Sequence, residues 1–229
     1  MVINHWQDSG NGSKISPGEV QIWSANMNEE KGLDFLDLLS DAEKKRAARL
    51  KNSLNAHQQM TSRGILRIVL GRYLGVKPEA LVFACNPQGK PFLVFPETEG
   101  LSFNLSHSGQ LLLIATGSGA PIGVDVEWMV ATADFAGISA LAFSDSEKRA
   151  LLESSEPVAD FYAIWTAKEA VLKAAGSGFA YPSSKFCVVI SEGKTTLTDH
   201  QAELTQGLSC SLISFNPASG YSAALAVLR

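Results

Sequence analysis

The sequence predicts an α+β fold built from two similar halves. Each half would pack a small antiparallel sheet on helices, and a pseudo-twofold axis would relate them across a cleft. Three observations point there. Segments from the first half recur in the same order in the second. Strand-like and helix-like stretches alternate in the same sequence in both. A turn-rich stretch, Gly117-Ser118-Gly119-Ala120-Pro121, separates them. The halves are therefore taken as residues 1–119 and 120–229.

Each element can be followed twice along the chain. Val20–Ala25 reads as the opening strand of the first half, and Gly123–Glu127 as that of the second. Next, Leu39-Ser40-Asp41-Ala42-Glu43-Lys44-Lys45-Arg46-Ala47 recurs as Phe143-Ser144-Asp145-Ser146-Glu147-Lys148-Arg149-Ala150. Both copies carry a Ser or Asp able to cap a helix and an acidic residue in the first turn. A second amphipathic helix follows, in which Gly64-Ile65-Leu66-Arg67 matches Ala170-Val171-Leu172-Lys173. Gly89-Lys90 and Gly193-Lys194 then mark hairpin turns. Finally Ser108-Gly109 precedes the apolar Leu111–Ala115, as Ser219-Gly220 precedes Ala223–Val227. Paired halves of this kind leave a cleft where ligands commonly bind.

A chain of 229 residues, 45% hydrophobic and 18% charged, can bury a sizeable core. A net charge of -4 argues against a general nucleic-acid binder. Cys85, Cys187 and Cys210 are odd in number and lack metal-ligand spacing, so free thiols in a reducing compartment are expected. No apolar run approaches the ~20 residues of a membrane span, and the N-terminus is polar. The expectation is a soluble, cytoplasmic protein without membrane attachment.

The chemistry gathers in two segments. In Ile122-Gly123-Val124-Asp125-Val126-Glu127, strand alternation puts Asp125 and Glu127 on one face. In Trp165-Thr166-Ala167-Lys168-Glu169-Ala170-Val171-Leu172-Lys173, helical spacing puts Glu169 and Lys173 on one side. Three carboxylates and a lysine on rigid elements suit a hard divalent cation bound to a phosphate-bearing substrate. Taken singly, an Asp-x-Glu strand is more often a solvated face, a Gly-Lys-Pro only a turn, and His107 only a hydrogen-bonded histidine. Phe161 and Trp165, four residues apart, suit a core. The joint occurrence is what carries meaning.

Four pieces in order, Gln88-Gly89-Lys90-Pro91, Phe103-Asn104-Leu105-Ser106-His107-Ser108, Ile122–Glu127 and Phe161–Lys173, resemble the surfactin-type (Sfp-like) family of 4′-phosphopantetheinyl transferases. With the duplicated halves, the resemblance covers about the whole chain. It implies an enzyme of holo-[acyl-carrier-protein] synthase type. Such an enzyme moves the 4′-phosphopantetheine arm of coenzyme A onto a serine of an acyl, peptidyl or aryl carrier protein and releases adenosine 3′,5′-bisphosphate. The resemblance implies a magnesium ion, replaceable by manganese, on Asp125, Glu127 and Glu169. It gives Glu169 as the base for the carrier serine, and Lys173, with Lys168 as a weaker candidate, as phosphate contacts. It puts Ser106 and His107 at the 3′-phosphate and Gly89, Lys90 and Pro91 at the nucleotide. Lys44, Lys45, Arg46, Arg49 and Arg63 are its candidate helper cations, although Gln58-Gln59-Met60 stands where many relatives carry arginines. A monomer is expected, because one chain supplies both sides of the cleft. Two rivals are a different coenzyme A enzyme, such as an acyltransferase, and an inactive homologue that only binds coenzyme A or a carrier. The first lacks its usual Gly-rich pyrophosphate loop here, and the intact acidic trio argues against the second.

Overall fold

The computed structural model describes residues 3–8, 15–30, 32–98, 100–191, 193–198 and 202–229. The first half runs β1 (Ile3–His5), β2 (Val20–Asn26), a 3-10 segment Gly32–Leu38, α1 (Asp41–Ala48), α2 (Ser53–Leu74), β3 (Val82–Cys85), β4 (Pro91–Phe95), β5 (Leu101–Ser108) and β6 (Leu111–Ser118). The second runs β7 (Ile122–Trp128), α3 (Phe135–Ala142), α4 (Asp145–Glu153), α5 (Pro157–Ala175), β8 (Cys187–Ser191), β9 (Lys194–Thr198), α6 (Ala202–Thr205), β10 (Cys210–Phe215) and β11 (Tyr221–Leu228). The fold is α+β, as expected. One sheet is ordered β1-β2-β6-β5 and the other β7-β11-β10, with side hairpins β3-β4 and β8-β9.

The duplication is visible in the registers. Strand β2 pairs antiparallel with β6 from Val20↔Gly117 to Asn26↔Leu111. Strand β7 pairs antiparallel with β11 from Ile122↔Val227 to Trp128↔Tyr221. Helices α1 and α4 both begin with a capping box, Ser40 with Glu43 and Ser144 with Glu147, which satisfies two orphan amides each. Helices α2 and α5 both end on a left-handed glycine, Gly75 and Gly176. Strand β1, which joins β2 in parallel, and helices α3 and α6 are extra to the repeat.

Each half has its own core, and a third core binds them together. Trp23, Phe35, Ile65, Leu66 and Leu70 fill the first. Ala170, Val171, Phe186, Leu204 and Leu228 fill the second. Between the sheets lie Ile22, Leu113 and Ala115 against Val124, Val126, Ala223 and Leu225. Strand β11 is therefore buried on both faces along its whole length, and its alanines let the layers approach. Helices α3 to α5 add an aromatic cluster of Phe135, Phe143, Phe161 and Tyr162. Cys85, Cys187 and Cys210 are free thiols. Among the described residues no helix is long and apolar enough to cross a membrane.

Two buried ion pairs correct the helix alignment. In the first half Arg67 donates from Nε and Nη2 to Glu43 at 3.0 and 2.7 Å, and from Nη1 to the carbonyls of Pro78 and Leu81. In the second Lys168 donates to both oxygens of Glu147 at 2.7 Å and to the Phe186 carbonyl at 2.6 Å. Counted back from the glycine caps, Arg67 and Lys168 are equivalent. The sequence match had placed Arg67 opposite Lys173. A small-aliphatic-aliphatic-basic quartet recurs too easily in amphipathic helices to fix register, whereas a buried partner does fix it.

Lys168, expected at a phosphate, is instead committed to Glu147 inside the second half. Its side chain is 1% exposed and enclosed by Glu147, Phe143 and Phe186, and burial pulls its pKa down despite Glu147. Breaking a buried pair from one side strands a charge, so Lys168→Met should cost about 3–5 kcal/mol in urea unfolding.

Candidate active site

Strand β7 and helix α5 cross at Gly123. A Cβ there would lie 2.1 Å from the Ala170 carbonyl oxygen and 2.4 Å from the Ala174 nitrogen, so only glycine allows the approach. The crossing sets Asp125 and Glu127 of β7 beside Glu169 and Lys173 of α5. On its free edge β7 runs along β5 of the first half. There Asn104, Ser106 and Ser108, alternate residues of one strand, all reach toward β7. Asn104 Oδ1 accepts from the Val124 amide at 2.8 Å, and Ser108 Oγ accepts from the Trp128 amide at 3.1 Å. Ser106 Oγ donates to Asp125 Oδ1 at 2.8 Å, and Ser108 Oγ donates to Glu127 Oε2 at 2.6 Å. Side chains thus do for this edge what a backbone ladder does elsewhere.

The result is a cleft of about 540 Å³ with contributions from both halves. Its second-half walls carry Asp125, Glu127, Trp165, Glu169 and Lys173, and its first-half walls carry Arg63, Gly89, Lys90, Pro91, Ser106 and His107. Trp165 is half-buried and faces the cleft, while Phe161 is core, so their helical spacing does not give them one role.

Charge is poorly compensated here. Lys173 Nζ lies 2.6 Å from Asp125 Oδ1 and 2.9 Å from Ser106 Oγ, so one ammonium answers one carboxylate oxygen. Asp125 Oδ2 is buried without a hydrogen-bond partner, a situation that costs free energy unless something else meets it. Burial, with Asp125 and Glu127 nearby, pushes the Glu169 carboxyl up to about 7 against the pull of Lys173. Glu127 is raised as well, by burial and by Asp125, with Ser108 opposing. Burial, Lys173 and Arg63 all hold the imidazole of His107 below its usual range, although its side chain stays open to solvent.

No three His, Cys, Asp or Glu side chains are gathered closely enough, among the described residues, to hold an ion by themselves. Yet the donor set suits a hard cation. An orphaned, buried carboxylate oxygen, beside two carboxyls whose charged forms are disfavoured by burial and then by Asp125, is a set of groups that a hard, oxygen-seeking cation would satisfy. Oxygens from a bound ligand would complete the coordination.

Several expected contacts fall elsewhere. Ser106 and His107, taken together from sequence, separate: the Ser106 hydroxyl is committed to Asp125 and Lys173, while His107 feels Arg63. The Gly89–Pro91 turn lines the cleft, but Lys90 turns its ammonium onto backbone carbonyls of the second half. Arg63 borders both the cleft and an adjoining cavity of about 430 Å³ that also contains Arg46. Lys44, Lys45 and Arg49 line neither. Asn104, Ser108, Gln59 and Ser62 were not anticipated. The alternation of Asn104, Ser106 and Ser108 is a readable signal for Asn104 and Ser108, and Gln59 lies in the Gln58–Met60 stretch singled out above; Ser62 carries none.

Residues 121–226 match the 4′-phosphopantetheinyl transferase superfamily, and residues 22–119 match the 4′-phosphopantetheinyl transferase N-terminal family. The 4′-phosphopantetheinyl transferase HetI of Nostoc sp. is 34% identical over 186 residues, spanning 79% of this chain and 78% of its own. This chain belongs to the 4′-phosphopantetheinyl transferase family. Another relative of the transferase is psf-1 of Bacillus pumilus, 32% identical over 76% of each chain. A crystal structure of holo-[acyl-carrier-protein] synthase from Neisseria meningitidis superposes with a TM-score of 0.40 at 20% identity, over 48% of the transferase and 97% of that chain.

The raised carboxyl gives a pH signature. Between pH 4.5 and about 7 the folded transferase holds the Glu169 proton that the unfolded chain releases. The contribution of Glu169 to unfolding free energy should therefore fall as pH rises through that window and level off above it. Urea denaturation in EDTA across this range should show the decline, and Glu169→Gln should remove it.

Proposed function

We propose that this transferase uses coenzyme A and a magnesium ion to modify a serine of an apo carrier protein, leaving adenosine 3′,5′-bisphosphate. The observation that carries the reading is the orphaned Oδ2 of Asp125, set beside Glu127, Glu169 and Lys173 in a cleft whose opposite wall bears His107 and Arg63. In this reading Asp125, Glu127 and Glu169 hold the metal, which when bound neutralises charge on the pyrophosphate. Manganese, with the same preference for oxygen, would substitute. Lys173 is placed to leave Asp125 for a phosphate oxygen. His107 and Arg63 would meet the 3′-phosphate, with Arg46 at the neighbouring cavity and the Gly89–Pro91 turn along the nucleotide.

In the transfer itself, the carrier serine oxygen attacks the phosphorus that bears the pantetheine arm. The bond from that phosphorus to the oxygen shared with the adenosine side breaks, and the serine proton must leave. Glu169, the carboxylate of the cleft that α5 carries beside Lys173, is the group suited to take it directly or through a water. Because one chain supplies both walls, a monomer is the working unit. Fatty-acid, polyketide and nonribosomal-peptide carriers are all within this chemistry, and a holo-[acyl-carrier-protein] synthase activity is its narrower form.

The direct test is incubation of a panel of apo carriers with coenzyme A and magnesium, read by mass spectrometry. A phosphopantetheine mass gain that EDTA abolishes and manganese restores is expected; full activity in EDTA would overturn the metal role. Asp125→Ala, Glu127→Ala and Glu169→Gln should each cut transfer by orders of magnitude, with non-additive combinations.

The 3′-phosphate assignment has its own test. A charge-assisted hydrogen bond contributes ~1.5–3 kcal/mol, so wild type should prefer coenzyme A over its 3′-dephospho analogue by roughly tenfold to a hundredfold in kcat/KM. In His107→Ala that preference should shrink. An undiminished preference would leave Arg63 as the anchor.

A further inference from the structure

Lys90 belongs to the first half, yet its ammonium is spent on the second. It donates to the carbonyls of Lys173 at 2.6 Å, Ile122 at 3.1 Å and Ala174 at 3.3 Å. An ammonium has three protons, and here each has an acceptor. Two of those acceptors lie in the last turn of α5. A helix C-terminus leaves carbonyls without intrahelical partners and carries partial negative charge, so a cation is favoured there. The third acceptor is the first residue of β7.

The turn that carries Lys90 is held rigidly against the same place. Asn86 Oδ1 accepts from the amides of Gln88 and Lys90 at 3.0 and 2.8 Å, which fixes the turn. Asn86 Nδ2 then donates to the Gly176 carbonyl, the cap of α5, at 3.0 Å. Four side-chain hydrogen bonds from one hairpin therefore bridge the halves at a single point.

That point matters because of what it joins. Strand β7 carries Asp125 and Glu127, and α5 carries Glu169 and Lys173. The two elements cross at Gly123, which offers no side chain to key them together. Lys90 touches both of them beside this crossing. We propose that Lys90 is a positioning residue for transfer: it sets the spacing of α5 against β7, and so of Glu169 and Lys173 against Asp125 and Glu127, in place of the side-chain contact to the nucleotide that its motif suggests. The catalytic part of this inference rests on the proposed function; the structural part does not.

Two variants and two readouts test it. Lys90→Met removes the donors. Lys90→Arg keeps the charge, but a guanidinium spreads its donors over a larger planar fork and does not fit acceptors arranged around a single ammonium nitrogen. Hydrogen exchange would be followed at residues 172–177, alongside kinetics with coenzyme A and its 3′-dephospho analogue. Both variants should exchange at least about tenfold faster in the last turn of α5. Both should also lose about tenfold or more in kcat, because small displacements of aligned groups are costly. The preference for coenzyme A over the analogue should stay within about twofold of wild type, since no phosphate contact is lost.

Unchanged exchange in the two variants would overturn the latch, whatever the kinetics. Near-normal activity in Lys90→Arg, with a collapsed coenzyme preference in Lys90→Met, would overturn the positioning role in favour of a direct contact to the coenzyme. If Lys90→Met does not fold, the Lys90→Arg exchange profile and kinetics decide alone. Failure of the wild-type protein to modify any carrier would instead strike the functional reading, and the exchange data would still judge the latch.

Discussion

The close crossing of β7 and α5 is the constraint on which the rest of the molecule depends. With the backbone of α5 pressed against Gly123, side chains two and four residues along β7 meet those of the helix's last two turns. A strand and a helix are stiff supports, and functional groups on them are held better than groups on loops. Stiffness also has a cost: like charges brought together by rigid backbones cannot relax apart. Burial above all, with the Asp125 charge adding to it, makes Glu127 and Glu169 both bind protons more tightly than usual, and Asp125 itself has Lys173 and Ser106 around it. The scaffold thus holds its carboxyls where their charged forms are disfavoured.

The duplication shows how local that specialisation is. By strand register Trp23 is the counterpart of Asp125 and Ala25 that of Glu127. Counted from the glycine caps, Ile68 is the counterpart of Glu169. All three belong to or pack on the first half's apolar core. The same backbone arrangement is therefore used twice, once as an oily interior and once as an acidic site. The first half contributes instead through a different surface, β5 and the β3–β4 turn, laid against its sibling. The buried pairs Glu43–Arg67 and Glu147–Lys168 are a feature that both halves kept, as expected of groups that set helix position rather than chemistry.

Much of this was legible in the sequence, and the failures have physical causes. Alternation and helical spacing located Asp125, Glu127, Glu169 and Lys173 correctly on their elements, because those periods are dictated by backbone geometry. The capping boxes of α1 and α4 were readable for the same reason. Long cations were the hard part. The residue type says that a lysine seeks acceptors; it does not say whether they are phosphates, a carboxylate or carbonyls. Lys168 found Glu147 and Lys90 found the end of α5, both through tertiary neighbours far along the chain. Arg63, by contrast, does reach the cleft. All three were sequence candidates for the coenzyme, on different grounds, and it is packing that separates them.

The burial of β11 has a consequence for how the chain acquires its shape during synthesis. Strand β7 emerges from the ribosome just after the first half is complete, and its main ladder partner β11 is made almost a half-chain later. In that interval β7 has only β5 and the exposed sheet of the finished half to lean on. Val124 and Val126 can settle on Ile22, Leu113 and Ala115, while Asn104, Ser106 and Ser108 hold its free edge. The first half then acts as a template on which the second assembles, consistent with N-terminal units folding first. A nascent chain halted before β11 would carry a half-covered apolar sheet and an unpaired strand edge, the features that recruit chaperones and seed aggregates.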